Sequence, residues 1–393
     1  MTVDNPAPLT IVGTGIAGYS LARDWRKRCP DAPLRIITRD DGANYYKPNL
    51  SKAYADGTDL AKLATFTAEQ MSAQLKAELR TGTAVTRIDP RAHAIHLGDE
   101  ILPYSQLVLA IGAEPVRLPI AGDAASCVLS VNDLADYRRF RNGLAPGARM
   151  LIIGAGLIGC EFANDFSAGG VRVSVVDPMA WPMPRLLPET SGRAIATALE
   201  RLGVAWYFGR TVKSLDHADG AIQARLSDGS TVDADVVLSA VGLRARTQLA
   251  SEAGISCRAG IVVDACLRTS APDVYAIGDC IEIAGRVRPY VLPITHATRP
   301  LAATLCGEPT PVKLPAMPVI VKTPACPLLV SPPEQDLGTW TVTGEGIDLE
   351  AVFLSPEGNT LGFALTGAAR SRRSALVPLL PAVFEPPPTS PPG

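Results

Sequence analysis

The sequence predicts an α/β fold with two parallel-sheet units of the same plan, followed by a small α+β region. A Gly-x-Gly-x-x-Gly segment occurs twice, at residues 13–18 and at residues 154–159. Each copy directly follows a short apolar run and precedes a helical pattern, which is the arrangement of a Rossmann-like dinucleotide-binding domain. One copy is a weak signal, whereas two copies in matching context predict two such domains and two bound dinucleotides.

The three glycines of each copy have different tasks in such a domain. The first permits a tight turn, the second lets the backbone approach a pyrophosphate, and the third lets the helix pack closely on the strand. The pyrophosphate rests at the helix N-terminus, where free N–H groups and the helix dipole favour an anion. The predicted cofactor-binding residues of the two segments are Gly13, Thr14, Gly15, Ala17, Gly18, Gly154, Gly156, Leu157, Ile158 and Gly159.

The residues around the first copy complete a strand–helix–strand unit. Residues 9–12 predict a buried strand, and the apolar residues between 16 and 25 have helical spacing. Pro30 and Pro33 end this helix, and residues 34–37 predict the return strand.

The second copy repeats this plan. Residues 150–153 predict its first strand, and the following helix carries Cys160, Phe162 and Phe166. A Gly-Gly pair at 169–170 ends the helix, and residues 171–176 predict the return strand.

The residues after each return strand indicate which nucleotide binds. Asp177 follows the second one, where a carboxylate accepts hydrogen bonds from an adenosine ribose 2′-OH and repels a 2′-phosphate. The second unit is therefore predicted to bind NAD rather than NADP. The first return strand runs out at Thr38-Arg39-Asp40-Asp41. Two interpretations stay open there: either Asp40 supplies the acid, or Arg39 covers the adenine face by stacking.

Composition and charge limit the classes of protein to which the chain can belong. The chain has 393 residues, which predicts two or three domains, and 47% of its residues are hydrophobic, as in ordinary globular proteins. A formal net charge of −2 argues against a nucleic-acid partner. No apolar run is long enough to span a bilayer, so membrane insertion is not expected. The first residues lack the basic and apolar regions of a secretion signal, which predicts a cytoplasmic protein.

The cysteine pattern excludes two further classes. Eight cysteines are spread along the chain, and no two are closer than nine residues. This spacing fits neither a metal site nor a disulfide framework, so no metal is predicted and most cysteines are expected to be small buried hydrophobes. A flavoprotein disulfide reductase needs a closely spaced redox pair beside its flavin, and the sequence has no such pair.

Three further segments carry a family resemblance over nearly the whole chain. Residues 274–279 form an apolar strand pattern ending in Gly278 and Asp279, and residues 107–112 and 236–242 are apolar runs that end in glycine. With the two glycine segments, they make the chain resemble the FAD-dependent pyridine-nucleotide oxidoreductases, most closely the rubredoxin-reductase branch. The resemblance implies that the first unit binds FAD and the second NADH. It further implies that the following residues hold a cofactor, with Asp279 on the flavin ribityl chain: Val85, Gly242, Gly278, Asp279 and Val291.

Two lysines narrow the resemblance to this branch. Residues 46–51, Tyr-Lys-Pro-Asn-Leu-Ser, resemble its flavin-side loop and occupy the stretch where disulfide reductases carry their cysteines. Residues 321–327 resemble a second signature, which brings Lys322 toward the flavin from another domain. A cation such as Lys47 near the reducible end of the flavin stabilises the anionic reduced ring and raises its potential without accepting electrons.

Glu161, in the first turn of the second glycine-segment helix, is the third predicted catalytic residue beside Lys47 and Lys322. The resemblance places Glu161 next to the flavin or the nicotinamide. An acid in a first helical turn is also favoured by the helix dipole alone, so that alternative stays open.

The order of the segments predicts a discontinuous first domain. Residues 1–118 and 244–312 form the FAD-binding domain, and residues 119–243 form an inserted NAD-binding domain. From residue 313 onward prolines punctuate short strand-like runs, which predicts a small interface domain over 313–385 that caps the flavin side. The proline-rich end, residues 386–393, cannot bury apolar surface and is predicted to be disordered.

The predicted function is electron transfer from NADH through FAD to an external one-electron carrier, because the chain has neither a cysteine pair nor iron ligands of its own. The resemblance implies that the carrier is rubredoxin or a similar small iron–sulfur protein. Such an acidic partner needs a positive surface near the flavin. The candidate contacts are Arg286, Arg288, Arg299, Arg370, Arg372 and Arg373.

Three alternative functions stay open. A reductase of a [2Fe–2S] ferredoxin or of a flavorubredoxin shares the same machinery, so assays with each carrier are needed to separate them. A redox sensor that holds FAD and NAD but signals through conformation does not turn over rapidly. An NADH oxidase or peroxidase usually needs a reactive cysteine beside the flavin, and residues 44–52 contain none.

Overall fold

The computed structural model describes residues 7–145, 147–334 and 337–387. Of the tail that the sequence predicts to be disordered, residues 388–393 lie outside the described residues. Within the described ranges, no helix combines the length and the apolar character needed to cross a membrane. The α/β fold predicted from the sequence, with two Rossmann-like units and a small C-terminal region, is confirmed.

The first part of the chain begins with the strand and helix of the first glycine segment. The side chains of its first strand are all buried, and the first helix buries Tyr19, Leu21 and Trp25 against the sheet. The elements of this part are β1 (Leu9–Val12), α1 (Ile16–Arg28), β2 (Leu34–Ile37), β3 (Asn44–Tyr45), β4 (Ala64–Phe66), α2 (Ala68–Leu75), β5 (Glu78–Arg80), β6 (Arg87–Asp89), β7 (Ala94–Leu97), β8 (Glu100–Pro103), β9 (Gln106–Leu109) and β10 (Ala113–Pro115). A 3₁₀ helix at Lys47–Lys52 lies between β3 and β4.

The second part repeats this plan around the second glycine segment. The helix that follows this segment, Leu157–Ala168, is more deeply buried than α1, because it lies between its own sheet and other parts of the chain. The elements of this part are α3 (Leu134–Asn142), β11 (Arg149–Ile153), α4 (Leu157–Ala168), β12 (Arg172–Asp177), α5 (Glu189–Glu200), β13 (Ala205–Phe208), β14 (Val212–Ala218), β15 (Ala221–Leu226), β16 (Thr231–Ala234) and β17 (Val236–Ser239).

The chain then returns to the first sheet and ends in an antiparallel one. The returning elements are β18 (Leu243–Ala245), α6 (Gln248–Glu252), β19 (Ile261–Val263), β20 (Val274–Ala276), β21 (Ile281–Ile283) and α7 (Val291–Leu305). The C-terminal elements are β22 (Val319–Val321), β23 (Leu328–Ser331), β24 (Thr339–Glu345), β25 (Asp348–Leu354), β26 (Thr360–Thr366) and α8 (Arg373–Leu376). The last five strands pair antiparallel in the order β22-β23-β26-β25-β24.

Two parallel sheets position the glycine segments. The first has the strand order β20-β9-β1-β2-β5, and the second has the order β13-β12-β11-β17. In both sheets the strand order reverses at the strand that precedes the glycine segment, and a ligand binds in the crevice at such a reversal. Because β20 pairs with β9, residues from beyond the second sheet complete the first one.

The two chain crossings between the sheets lie side by side. β10 leaves the first sheet and β18 returns to it, and these two strands pair antiparallel from Ala113 opposite Ala245 to Pro115 opposite Leu243. The carboxyl ends of both parallel sheets therefore open toward the region between the two units.

The cysteines depart from the sequence expectation in two ways. Only Cys160, Cys280 and Cys326 are buried, while the other five are partly exposed, so the expectation that most are buried hydrophobes is wrong. Cys29 and Cys306, which are 277 residues apart in the chain, also lie in direct contact. Sequence spacing missed this pair because two different helices of the first unit bring it together.

Candidate functional site

A single cleft of about 1870 Å³ is lined by both glycine segments. It collects residues from the carboxyl ends of both parallel sheets and from the C-terminal region. The predicted site residues that line it are Gly13, Thr14, Gly15, Ala17, Arg39, Asp40, Lys47, Val85, Gly154, Gly156, Leu157, Ile158, Glu161, Asp177, Gly242, Asp279, Val291 and Lys322. The cleft thus brings together most of the site residues that were predicted from the sequence.

Gly18, Gly159 and Gly278 do not line this cleft. A Cβ on Gly18 or on Gly159 would collide with the carbonyl oxygen of the first glycine of its own segment. A Cβ on Gly278 would lie 2.9 Å from the Cβ of Ala17, and its backbone holds a φ of +90°. All three glycines therefore allow close packing behind the cleft.

The middle glycine of each segment faces open space. Gly15 and Gly156 are the N-cap residues of α1 and α4, and a Cβ on either would meet no atom within 4 Å. The first glycines, Gly13 and Gly154, lie in the turns that precede α1 and α4. Their left-handed φ values are +112° and +108°. Each turn therefore presents bare backbone at a helix N-terminus, which is a favourable place for a phosphate group.

Asp40 is tied to the first sheet by hydrogen bonds. Its Oδ1 accepts hydrogen bonds from Thr14 Oγ1 at 3.0 Å, from Thr38 Oγ1 at 2.6 Å and from Gly42 N at 3.0 Å. This carboxylate oxygen therefore joins the end of β2 to the glycine turn. Arg39 is exposed and lines the cleft.

Asp177 has the corresponding place in the second sheet. Its Oδ2 accepts a hydrogen bond from Ala155 N at 2.6 Å, and its Oδ1 accepts one from Met179 N at 2.8 Å. Each oxygen of an ionised carboxylate has capacity for a further hydrogen bond. Asp177 therefore fixes the second glycine turn and still offers acceptor capacity toward the cleft.

Lys47 lines the cleft and is the first residue of the 3₁₀ helix. Its Nζ donates a hydrogen bond to Asn132 Oδ1 at 2.7 Å, and Asn132 Nδ2 donates one to Ala113 O at 3.0 Å. Burial lowers the pKa of the Lys47 ammonium, while the nearby charge of Asp279 opposes that shift. Burial likewise raises the pKa of the Asp279 carboxyl, and Lys47 opposes that shift. The two groups thus stabilise each other's charged forms inside the site.

Glu161 is fully buried and joins three parts of the chain. Its carboxylate accepts hydrogen bonds from Lys322 Nζ at 2.7 and 2.8 Å, and Oε1 also accepts one from Lys322 N at 2.9 Å. Ser51 Oγ of the 3₁₀ helix donates to the other oxygen, Oε2. Glu161 lies on α4, Ser51 in the first part of the chain and Lys322 just after β22, so one carboxylate connects all three.

Two further buried polar residues of α4 extend this junction, and the sequence analysis missed both. Asn164 Oδ1 accepts a hydrogen bond from Ala325 N at 3.0 Å. Asp165 accepts one from Tyr54 N at 3.1 Å and one from Ala55 N at 2.9 Å. Burial raises the pKa of the Asp165 carboxyl to about 6, although both backbone donors oppose the shift. Polar residues at three neighbouring positions of a buried helix face are the signal that was available in the sequence.

Arg246 is another cleft residue that sequence reasoning missed. Its Nη1 donates a hydrogen bond to Ile111 O at 2.9 Å, whereas its buried Nε has no partner among the described residues. Burial lowers the pKa of this guanidinium, and the charge of Arg39 lowers it further. A buried, unpaired N–H on a cation beside a second arginine fits an anionic ligand group.

Two of the arginines offered as partner contacts are engaged inside the chain. Arg286 Nε lies 3.2 Å and Arg288 Nη2 lies 3.3 Å from Glu334 Oε2, and the Arg288 side chain is only 10% exposed. The expectation that Arg288 forms part of a docking surface is therefore wrong. Arg370, Arg372 and Arg373 are exposed, and Arg373 also lines the cleft.

Comparisons with known proteins cover both glycine segments and the C-terminal sheet. The family model described as pyridine nucleotide-disulphide oxidoreductase matches residues 7–299, and the one described as rubredoxin binding C-terminal domain matches residues 311–380. The chain is 47% identical to the rubredoxin-NAD(+) reductase of Alcanivorax borkumensis, over 96% of this chain and 99% of that protein. It is 44% identical to the rubredoxin-NAD(+) reductase of Acinetobacter baylyi, over 95% and 98%.

The fold is also similar to a solved electron-transfer complex. The structure of the covalent putidaredoxin reductase–putidaredoxin complex matches this chain with a TM-score of 0.86 at 25% identity, over 96% of this chain and 94% of that one.

Proposed function

The chain belongs to the pyridine nucleotide-disulphide oxidoreductase family, and from that premise we propose that it is an FAD-containing reductase that passes electrons from NADH to rubredoxin. The observation that carries the proposal is the single cleft, which combines two dinucleotide-type glycine turns with two partly buried lysines, Lys47 and Lys322, and no cysteine in the flavin-side loop. The C-terminal region supports the choice of acceptor, because residues 311–380 match a rubredoxin-binding domain.

We assign the first unit to FAD. The open Cα of Gly15 gives a dinucleotide pyrophosphate room at the N-terminus of α1. The unpaired Nε of Arg246 suits an anionic group, and the inward Asp279 suits hydroxyl donors of a ribityl chain. Oδ1 of Asp40 is engaged by three donors, so we assign the adenosine contact to Arg39 or to Oδ2 of Asp40, both of which belong to residues that line the cleft. These residues fit FAD, and the FAD-binding domain combines residues up to 118 with residues 244–312.

We assign the second unit, residues 119–243, to NADH. Gly156 faces open space at the N-terminus of α4, and Asp177 lies beside that turn with acceptor capacity for ribose hydroxyls. A 2′-phosphate at this place would be repelled by the carboxylate, which favours NADH over NADPH. Gly242, Leu157 and Ile158 complete this half of the cleft wall.

The side chains of this protein position and polarise the FAD, and they do not carry electrons themselves. FAD, when bound, supplies the chemistry that takes two electrons from NADH and releases them one at a time. Lys47 and Lys322 place two ammonium groups on the cleft, where positive charge stabilises an electron-rich ring. Glu161 holds Lys322 in place, and Asn132 holds Lys47.

The C-terminal domain, residues 313–385, carries Lys322 to the cleft and offers the exposed arginines at positions 370, 372 and 373 to an acidic iron–sulfur partner. We place the protein in the cytoplasm, because NADH is available there.

Rapid-mixing kinetics tests the proposal. Purified protein reconstituted with FAD is mixed with NADH without oxygen, and the flavin absorbance is followed before and after the addition of each carrier. We expect rapid bleaching by NADH, slow bleaching by NADPH, and rapid reoxidation by rubredoxin. Rapid reoxidation by a [2Fe–2S] ferredoxin or a flavorubredoxin instead would reassign the acceptor. Slow reoxidation by every carrier would favour a redox sensor, and failure to bind FAD would contradict the whole assignment.

A further inference from the structure

The first and last helices of the FAD-binding unit end on cysteines that touch. Cys29 is the C-cap residue of α1, and Cys306 is the C-cap residue of α7. Their Sγ atoms are 2.7 Å apart, which is closer than two unbonded sulfur atoms normally approach. A disulfide bond has an S–S length of about 2.05 Å, so only a small movement separates the two thiols from a bond.

Other side chains hold the two helices in this register. Thr298 Oγ1 of α7 donates a hydrogen bond to Asp24 Oδ2 of α1 at 2.8 Å. One turn further along α1, Arg28 Nη1 lies 2.9 Å from Glu308 Oε2, which follows the end of α7. The two helices therefore run side by side in the same direction, and the cysteine contact is part of a ladder of three cross-helix contacts.

Arg26 fixes the backbone that carries Cys29. Its Nη1 donates hydrogen bonds to Cys29 O at 2.8 Å, Pro30 O at 3.1 Å and Ala32 O at 2.8 Å, and its Nε donates one to Leu75 O at 2.7 Å. The chain after α1 is thus held by one guanidinium, which keeps the Cys29 sulfur in position opposite Cys306.

We propose that Cys29 and Cys306 form a reversible disulfide when the enzyme meets hydrogen peroxide, and that this bond stabilises the FAD-binding unit. In the first step one of the two sulfurs attacks the peroxide, giving a sulfenic acid and one water. In the second step the other cysteine attacks the sulfenic sulfur, and the S–S bond forms with loss of a second water. Two thiols are oxidised and one peroxide is reduced, and a dithiol reductant reverses the reaction.

The surroundings of the pair give the pH dependence of these steps. Burial and the adjacent Cys29 sulfur raise the pKa of the Cys306 thiol to about 12. Both cysteines are C-cap residues of helices, and a helix C-terminus disfavours a thiolate. Because a thiolate is the attacking species, the rate of disulfide formation rises with pH.

The position of the pair gives the bond its consequence. The N-terminus of α1 lies at the first glycine turn, and Val291 at the N-terminus of α7 lines the same cleft. A bond between the far ends of these helices joins residues 277 positions apart. Cross-linking so long a loop restricts the unfolded chain strongly. The cross-link is expected to raise Tm by about 5 °C and to slow the loss of FAD; only the FAD readout rests on the proposed function.

Peptide mapping of the whole FAD-loaded protein tests the proposal. The protein is treated with hydrogen peroxide, digested without reduction and analysed by mass spectrometry, while Tm is measured before and after dithiothreitol. We expect one joined peptide containing Cys29 and Cys306, two hydrogens lighter than the separate peptides, together with a Tm rise that dithiothreitol reverses. Cys29→Ser and Cys306→Ser should abolish both effects, whereas the control Cys257→Ser, which removes another partly exposed cysteine, should keep them.

Two results would overturn the proposal. One is oxidation of either cysteine to sulfinic acid without the joined peptide. The other is a joined peptide with unchanged Tm. Because mapping of the unmodified sequence is decisive by itself, a serine variant that folds poorly does not weaken the test. NADH bleaching of the flavin is recorded separately, so failure of the proposed function is distinguishable from failure of the disulfide.

Discussion

Lys322 Nζ lies 2.7 and 2.8 Å from the two carboxylate oxygens of Glu161, and the residues are 161 positions apart in the chain. Glu161 is completely buried, whereas the Lys322 side chain is 27% exposed and lines the cleft. The Lys322 ammonium therefore compensates the charge of the buried Glu161 carboxylate where three parts of the chain meet. The same ammonium also remains at the surface of the cleft. Positioning of the C-terminal region and polarisation of the site depend on the same ion pair.

Replacement of Lys322 by methionine is expected to destabilise the protein and slow flavin reduction. The substitution leaves the Glu161 carboxylate buried without its cation, and removal of one partner of a buried pair is strongly destabilising. Because Lys322 is partly exposed, we expect a loss of about 2–3 kcal/mol in unfolding free energy, measured by chemical denaturation.

The double variant Glu161→Gln with Lys322→Met is the control for this prediction. An amide carries no charge, so the double variant should regain most of the lost stability while flavin reduction stays slow. If the losses of unfolding free energy in Glu161→Gln and in Lys322→Met simply add up in the double variant, the ion pair is not the cause of the destabilisation.

Lys47 is expected to tune the flavin rather than to stabilise the fold. Lys47→Met should lower the flavin midpoint potential and slow bleaching by NADH about tenfold, which corresponds to about 1.4 kcal/mol in the barrier. Asn132→Leu should have a smaller effect of the same sign, because it removes the acceptor that holds the Lys47 ammonium. Potentiometric titration measures the first change and rapid mixing the second. A Lys47→Met protein with an unchanged potential would remove Lys47 from the flavin environment.

Asp165 predicts a specific pH dependence of stability. Its folded-state pKa is raised from 3.8 to about 6, so the folded state binds the proton more tightly than the unfolded state does. This contribution to stability is fully present below about pH 4 and is lost as the pH rises through about 6. Relative to Asp165→Asn, the unmodified protein should therefore lose about 2 kcal/mol between pH 4 and pH 7. Parallel Tm–pH curves for the two proteins would contradict the assignment.

Asp177 is expected to determine the choice of nicotinamide nucleotide. Asp177→Asn removes the charge but keeps one acceptor oxygen for the glycine turn. We expect kcat/KM for NADH to fall about tenfold. The preference for NADH over NADPH should also decrease, because repulsion of the NADPH 2′-phosphate is lost. Steady-state kinetics with both nucleotides measures this. Asp233→Asn, at an exposed carboxyl of β16, should leave the preference unchanged.

Sequence patterns predicted the local features of the site well. The glycine turns and Asp279 follow parallel strands, Asp177 is the last residue of one, and parallel strands bring their carboxyl ends to one edge of a sheet. Once two parallel sheets were predicted, the cleft between them followed.

Pairings across long chain distances were not predictable in this way. Lys47 is hydrogen-bonded to Asn132, and Asp165 to Tyr54, only because α3 and α4 pack against the 3₁₀ helix and the segment that follows it. Cys29 meets Cys306 only because α1 and α7 are parallel neighbours. A side chain in such a contact carries no local pattern that names its partner. Spacing along the chain therefore said nothing about these three pairs.

The exposed arginines of the C-terminal domain are expected to steer the acidic carrier. Arg372 is partly engaged by Glu350 at 3.0 Å, so neutralising all three arginines to glutamine tests the whole surface. Long-range attraction between opposite charges raises association rates most at low salt, and salt screens it. The triple variant should therefore reduce rubredoxin several-fold more slowly at low ionic strength, show a flatter salt dependence, and keep normal bleaching by NADH. As a control, the exposed Arg201, at the end of α5, should tolerate the same change. An unchanged rate of rubredoxin reduction at low salt would exclude Arg370, Arg372 and Arg373 from the docking surface.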